Sequence, residues 1–134
     1  MARRCFVVMP FAPEFSALWT DVIRTAVVGE GDECIRADDL FRPGTIISSV
    51  CDLIRGADYI IADLTGRNAN VFYELGFAHA LGKPAVLLTQ NAADVPVDLI
   101  GRRVIEYADT IGGAKALRQN LARVLNELER PNHV

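Results

Sequence analysis

Positive charge is in short supply in this chain. Lys and Arg number 14 against 17 Asp and Glu, for a net charge of −3, and no basic block could follow a phosphate backbone. Nucleic acid is therefore not an expected partner. Long apolar runs are also missing. None reaches the roughly 18–20 residues of a membrane span, so no membrane association is expected. Arg3 and Arg4 precede an apolar run, but Pro10 ends it after about five residues, short of the roughly 7–15 of a signal-peptide core. Cysteine is sparse: Cys5, Cys34 and Cys51 are an odd set with no CxxC pair. That excludes a disulfide framework, fits a reducing cytoplasm, and reads as three small core residues. The two histidines, His79 and His133, have no second His or Cys at ligand spacing, so no metal is expected. Met9 to Glu14 contains no glycine, which excludes a Walker A loop or a dinucleotide fingerprint at the first turn. No resident cofactor is expected.

What is present is a globular composition. Of 134 residues, 51% are hydrophobic and 23% charged, enough to bury one core, and residues 1–134 read as one domain. Cys5 to Met9 is a continuous apolar run, read as a buried strand. Residues 14–28 place Phe15, Leu18, Trp19, Val22, Ile23 and Ala26 on one helical stripe. Glu33 to Ala37 is a second strand. A helix with Pro43 in its first turn buries Ile46, Ile47, Val50, Leu53 and Ile54, and ends at Gly56. Tyr59–Leu64 is the third strand, residues 70–82 the third helix, and Ala85–Thr89 the fourth strand. Residues 91–101 read as a loop, Arg103–Tyr107 as a fifth strand, and Leu117–Leu128 as a last amphipathic helix. Alternation at this spacing predicts an α/β fold. Its core is a flavodoxin-like, doubly wound, five-stranded parallel sheet of order 2-1-3-4-5 with helices on both faces.

In such sheets ligands bind outside the carboxyl ends of the strands. The loops concerned are Met9-Pro10-Phe11, Asp38-Asp39, the stretch from Asp63 to Asn70, and Gln90-Asn91. The third loop is the richest in polar groups. Asn70 reads as the N-cap of the next helix, with Glu74 in about its first turn. Glu74 shares a stripe with Phe77, Ala78 and Leu81, where a carboxylate is costly unless it faces a cleft or a partner. Three readings follow: a pocket-facing functional carboxylate, a complement to the helix dipole, or an ion pair with Arg67 or Arg42. Asp63 reads either as a ligand-facing carboxylate or as a cap for the Thr65-Gly66 turn. Thr65 and Gly66 would shape that loop for close backbone approach to a ligand. Asp39 could bind ribose hydroxyls or close a turn with Asp38.

The run from Ala57 to Gly66, with Asn68, Asn70–Gly76 and Ala78–Pro84, resembles the core of the nucleoside 2-deoxyribosyltransferase-like superfamily. Met9-Pro10-Phe11 at the end of the first strand narrows the likeness to bacterial TIR-like nucleotide-binding proteins. The resemblance spans roughly residues 4–107. It implies N-glycosidic bond chemistry on a nucleoside, a nucleotide or NAD, the last as substrate rather than cofactor. By position Glu74 matches the family's catalytic glutamate, which would stabilise or attack an oxocarbenium-like anomeric carbon. Asp63, Asn68 and Asn70 would orient sugar or base, and Phe11 and Tyr73 would stack on a base. Asn68 stands about where the transferases carry an Asp, and an amide cannot act as a base. The resemblance also implies a homodimer or higher homo-oligomer, because the resembled transferases complete their site from a neighbour. A non-catalytic, self-associating nucleotide sensor is the alternative.

The remaining residues carry less. His79 falls on the helix face away from Glu74. Arg102-Arg103 reads as a solvated pair or a phosphate contact. Residues 91–101, longer than a tight connection, read as a lid.

Overall fold

A computed structural model of the chain describes residues 2–36, 46–99 and 101–128, with 46–49 as backbone only. Five strands form one parallel sheet: β1 (Arg4–Val8), β2 (Glu33–Arg36), β3 (Tyr59–Asp63), β4 (Ala85–Thr89) and β5 (Val104–Glu106). Their order is β2-β1-β3-β4-β5. The register sets Val7 beside Arg36 and Ile61, and Asp63 beside Leu88. The order and the strand direction are those that the alternation of periods predicts.

Each central strand is buried on both sides, so successive side chains feed two cores. Cys5, Val7, Ile61, Val86 and Leu88 point into one. The helix over Arg24–Gly29 (α1) and that over Ile111–Glu127 (α4) close it. Phe6, Val8, Ile60, Ala62 and Leu87 point into the other. The helices over Ile46–Gly56 (α2) and Ala69–Ala80 (α3) close that one. Among the described residues no helix is long and apolar enough to cross a membrane.

The stretch expected as one helix over 14–28 is built in three pieces. A 3-10 turn covers Pro13–Phe15, a wide π-helical segment covers Leu18–Ile23, and α1 completes it. The expected stripe is nevertheless buried at Phe15, Trp19, Val22, Ile23 and Ala26. Periodicity reports which way side chains face and is nearly blind to whether the backbone bonds run i+3, i+4 or i+5. The last helix begins earlier than its leucines indicate, at Ile111, capped by the Thr110 side chain, which accepts from Gly113 N at 2.9 Å. Gly113 is needed there, since a Cβ would lie 2.0 Å from the Ala108 carbonyl oxygen. Cys5 is buried, but Cys34 and Cys51 are only half-buried, so the reading of all three as core residues holds for Cys5 alone. Asp38, Asp39, Arg42, Pro43, Ala37 and His133 lie outside the described residues.

A polar network that the sequence pattern does not announce sits at the amino end of the sheet. Arg3 and Asp32 are both buried. Arg3 Nη2 lies 2.8 Å from Asp32 Oδ2, and Arg3 Nε donates to the same oxygen at 3.0 Å. The Tyr59 hydroxyl donates to it as well, at 2.9 Å. Arg3 Nη2 also donates to the Leu125 carbonyl near the end of α4, at 3.1 Å. A cation there complements the helix dipole while satisfying an orphan carbonyl. Burial alone would raise the Asp32 carboxyl, but the bonds from Arg3 and Tyr59 and the Arg3 charge outweigh it and hold it below 3.8. A carboxylate held down in the fold contributes stability that is present above its unfolded value and lost as pH falls through the folded one. Replacing Asp32 by Asn should therefore cost about 3–5 kcal/mol in urea unfolding near neutral pH, by leaving Arg3 as an uncompensated buried charge. The wild-type chain should lose stability on acidification below about pH 4, and the variant should lose less over the same interval.

Candidate functional site

β1 lies between β2 and β3, where strand order reverses, and the chain leaves it as Met9-Pro10-Phe11. α3 opens beside it. Asn68 is the N-cap of α3: its Oδ1 accepts from Asn70 N at 2.9 Å and Val71 N at 3.2 Å. This corrects the expectation that Asn70 caps the helix. The cap sits two residues earlier because Asn68 is extended while Ala69 and Asn70 already lie inside α3. Glu74 consequently falls in the second turn, beyond the reach of a first-turn dipole effect.

Between these elements and α2 lies a hollow of about 230 Å³. Met9, Pro10 and Phe11 form one wall, and Asn68, Asn70, Tyr73 and Glu74 another. Seven residues singled out from the sequence thus meet in one cleft. Val50, Cys51, Ile54 and Phe77 complete the lining. The α2 residues were legible only as a buried stripe, and nothing in their spacing marks the one turn that turns outward to a ligand space. A second hollow adjoins the first through Pro10 and Asn68 and is lined by Thr65, Gly66, Glu14, Gln90 and Asp109. Glu14 and Asp109 were not anticipated, since each looks like any other surface carboxylate until the loops converge.

Glu74 is half-buried on this wall. It has no hydrogen bond or ion pair among the described residues, and burial pushes its carboxyl up to about 7. Arg67, one of its two possible partners in sequence, is engaged elsewhere. Arg67 Nε lies 3.4 Å from Asp94 Oδ1, and its Nη2 donates to the Ala93 carbonyl at 2.7 Å. The other, Arg42, lies outside the described residues. Around Glu74, Phe11 and Tyr73 remain 47% and 65% exposed, so two aromatic faces meet water at the lip of the cleft.

Asp63 is not brought to either hollow. It is fully buried beneath them, and both of its oxygens are taken within the fold. Oδ1 accepts from Thr65 N at 2.9 Å and Oδ2 from the Tyr107 hydroxyl at 2.5 Å. Burial pushes the Asp63 carboxyl up, against the downward pull of these bonds. The turn-capping reading of Asp63 therefore prevails over the ligand-facing one. A carboxylate at a strand's end is free to bind ligand only if no later strand supplies a donor, and here Tyr107 does. Gly66, at φ +80°, does hold the left-handed turn, but its N–H donates to Asp94 Oδ2 at 2.8 Å rather than pointing into open space. Through these bonds residues 93 and 94 are pinned to the 65–67 turn, and no described residue of the 91–101 segment lines either hollow. The lid reading is corrected accordingly. His79 lies away from the cleft, as expected. Among the described residues no group of three His, Cys, Asp or Glu could hold a metal ion.

No protein-family model and no curated protein matches the chain. Solved structures do. A CMP N-glycosidase from Clostridium botulinum is 20% identical over 91% of this chain and 99% of its own, with a TM-score of 0.68. A 2-deoxyribosyltransferase from Leishmania mexicana is 21% identical over 85% and 95%, with a TM-score of 0.59. A metazoan TIR-STING receptor from C. gigas is 21% identical over 88% of this chain and 39% of its own, with a TM-score of 0.63. The chain therefore has the α/β fold shared by nucleoside 2-deoxyribosyltransferases, this N-glycosidase and TIR-like domains. The resemblance drawn from the Met9-Pro10-Phe11 and Glu74 segments is matched at the level of fold.

A carboxyl raised from 4.5 to about 7 penalises the folded state once it ionises. The folded form binds the proton more tightly, so stability is fully present below pH 4.5 and declines as pH rises through about 7. Glu74→Gln should consequently be more stable than wild type at pH 8, on the order of 1–3 kcal/mol, and no more stable at pH 4. Thermal unfolding at both pH values measures the difference.

Proposed function

We propose that the chain binds a nucleoside or nucleotide, NAD included, in the cleft beside α3 and breaks its N-glycosidic bond by hydrolysis or base exchange. Glu74 is the catalytic carboxylate. The observation that carries this reading is a half-buried carboxyl raised to about 7, without a hydrogen bond or ion pair among the described residues, in a cleft that presents two exposed aromatic rings and two side-chain amides. A carboxylate in that setting suits a developing oxocarbenium centre, because the surrounding apolar groups strengthen its charge interaction as the base departs. In the first step the Glu74 oxygen bonds to the anomeric carbon while the bond to the base nitrogen breaks, and the base takes up a proton. Water, or a second base, then displaces Glu74 and restores the carboxylate.

Phe11 and Tyr73 are assigned to stack on the base. Asn68, whose Oδ1 is spent on the helix cap, has its amide N–H groups left for the sugar, and Asn70 stands beside it. Thr65 and Gly66 belong to the adjoining hollow, where the rest of a larger ligand would lie. Asp39, from the loop after β2, is retained as a partner for sugar hydroxyls. With the 91–101 segment tied away, the occupant that closes the cleft is a second copy of the chain, and we assign a homodimer or higher homo-oligomer. No resident cofactor is assigned. The likeness to a TIR-STING receptor supports the second reading, a non-catalytic nucleotide-sensing module that acts by self-association.

Incubation with nucleosides, nucleotides and NAD, followed by chromatography for free base, separates the two. The catalytic reading expects base release that rises with pH through about 7 as Glu74 ionises, and that falls at least about 10³-fold in Glu74→Gln. Measurable nucleotide binding with no base released from any substrate would transfer the assignment to the sensing module. Light scattering that shows only monomer would remove the oligomeric part.

A further inference from the structure

A groove larger than the cleft just described lies elsewhere on the molecule. It holds about 700 Å³ and opens at the other end of the sheet, between the last turn of α3, the start of β4 and the residues that lead into β5. Its rim carries His79, Lys83, Arg102 and Arg103, and its floor includes Leu87 and Leu99. Among the described residues no carboxylate lines it.

The whole sequence carries more acidic than basic residues, and the other arginines in described ion pairs sit against carboxylates: Arg3 on Asp32, Arg4 on Glu33, Arg55 on Asp52 and Arg67 on Asp94. Lys83, Arg102 and Arg103 form no ion pair among the described residues. Lys83 Nζ donates to the Arg55 carbonyl at 2.8 Å, and Arg102 Nη2 donates to His79 Nε2 at 2.8 Å. Both contacts orient a cation without neutralising it. The Arg103 side chain has no bond among the described residues. The dipole of α3 accounts for a cation at its carboxyl end, but not for two arginines that arrive from a separate segment. Guanidinium groups left with unused donors match phosphate oxygens, and they do so in pairs.

From this juxtaposition we propose a second ligand site, for an organic phosphate. The phosphate chain lies across Arg102, Arg103 and Lys83, and the organic part covers the apolar floor. The groove falls within the size range of small-molecule sites. It is independent of the N-glycosidic reading, because it shares no lining residue with either hollow at the cleft. α3 nevertheless joins the two places, since Glu74 faces the cleft and its neighbour Leu75 lines the groove.

Calorimetric titration at 0.15 M salt with ATP, adenosine and inorganic tripolyphosphate tests the assignment. Three chains are compared: wild type, the Arg102→Ala/Arg103→Ala double variant and a charge-matched control, Lys115→Ala/Arg118→Ala, whose exposed cations on α4 line neither the groove nor the hollows at the cleft. Residues 101–103 are exposed, so the double variant should fold, and circular dichroism verifies that it does. The site predicts ATP binding weakened at least tenfold by the double variant and within about twofold of wild type in the control. It also predicts ATP binding at least tenfold tighter than tripolyphosphate. Equal affinity for the two would overturn the role given to the apolar floor. An absence of ATP binding at millimolar concentration would overturn the site, and so would ATP binding that the double variant leaves unchanged or that the control weakens as much. A cleft that fails to release base leaves these outcomes unchanged, so the two proposals fail separately.

Discussion

The buried pair of Arg3 and Asp32 holds the amino end of this molecule together. One guanidinium reaches the carboxylate before β2, lies over the ring of Tyr59 at the start of β3 at 4.9 Å, and bonds a carbonyl near the end of α4. A buried ion pair is a poor source of net stability compared with apolar packing, and its value lies in how little freedom it leaves to its partners. Here it aligns three strands and a helix drawn from sequence positions more than a hundred residues apart. With that end locked, the carboxyl end of the sheet can be built from irregular loops whose own stability is low.

The carboxyl end has a smaller lock of the same kind. Asp63, Tyr107 and Thr65 form a closed set of bonds beneath the two hollows, and Gln90 Nε2 adds a donor to the Tyr107 hydroxyl at 3.2 Å. Burial and the neighbouring Asp63 push the Tyr107 hydroxyl upward, so it remains a proton donor across the working range. The floor of the site is therefore held by satisfied polar groups, while its wall carries Glu74, a carboxyl with no hydrogen bond or ion pair among the described residues. The two acidic residues, eleven positions apart, thus stand in opposite settings, one bonded within the fold and one facing a cleft.

Much of this was legible from the residues alone. The order of the sheet follows from alternating periods of two and 3.6, which depend on burial, and burial is written plainly in Ile60-Ile61-Ala62 and Val86-Leu87-Leu88. The placing of Glu74 against Met9, Pro10 and Phe11 follows once the strand order is known, because only adjacent strand ends can share a cleft. What was not legible depends on pairings between distant residues. Arg3 and Asp32 look like surface charges until Leu125 arrives behind them. Asp63 looks free until Tyr107 is laid beside it. Asn68 and Asn70 are equally good caps, and the backbone decides between them. The helix before Gly113 is hidden by two glycines that ordinarily signal a turn.

The exposed rings of Phe11 and Tyr73 carry a thermodynamic consequence. Aromatic surface left in water at the mouth of a preformed cleft is hydrated before any ligand arrives. A planar group that slides over both rings releases that hydration, and its association should carry a negative heat-capacity change. If the proposed ligands bind, affinity at the cleft should rise with temperature from the cold, whereas affinity at the groove with its guanidinium groups should answer chiefly to ionic strength.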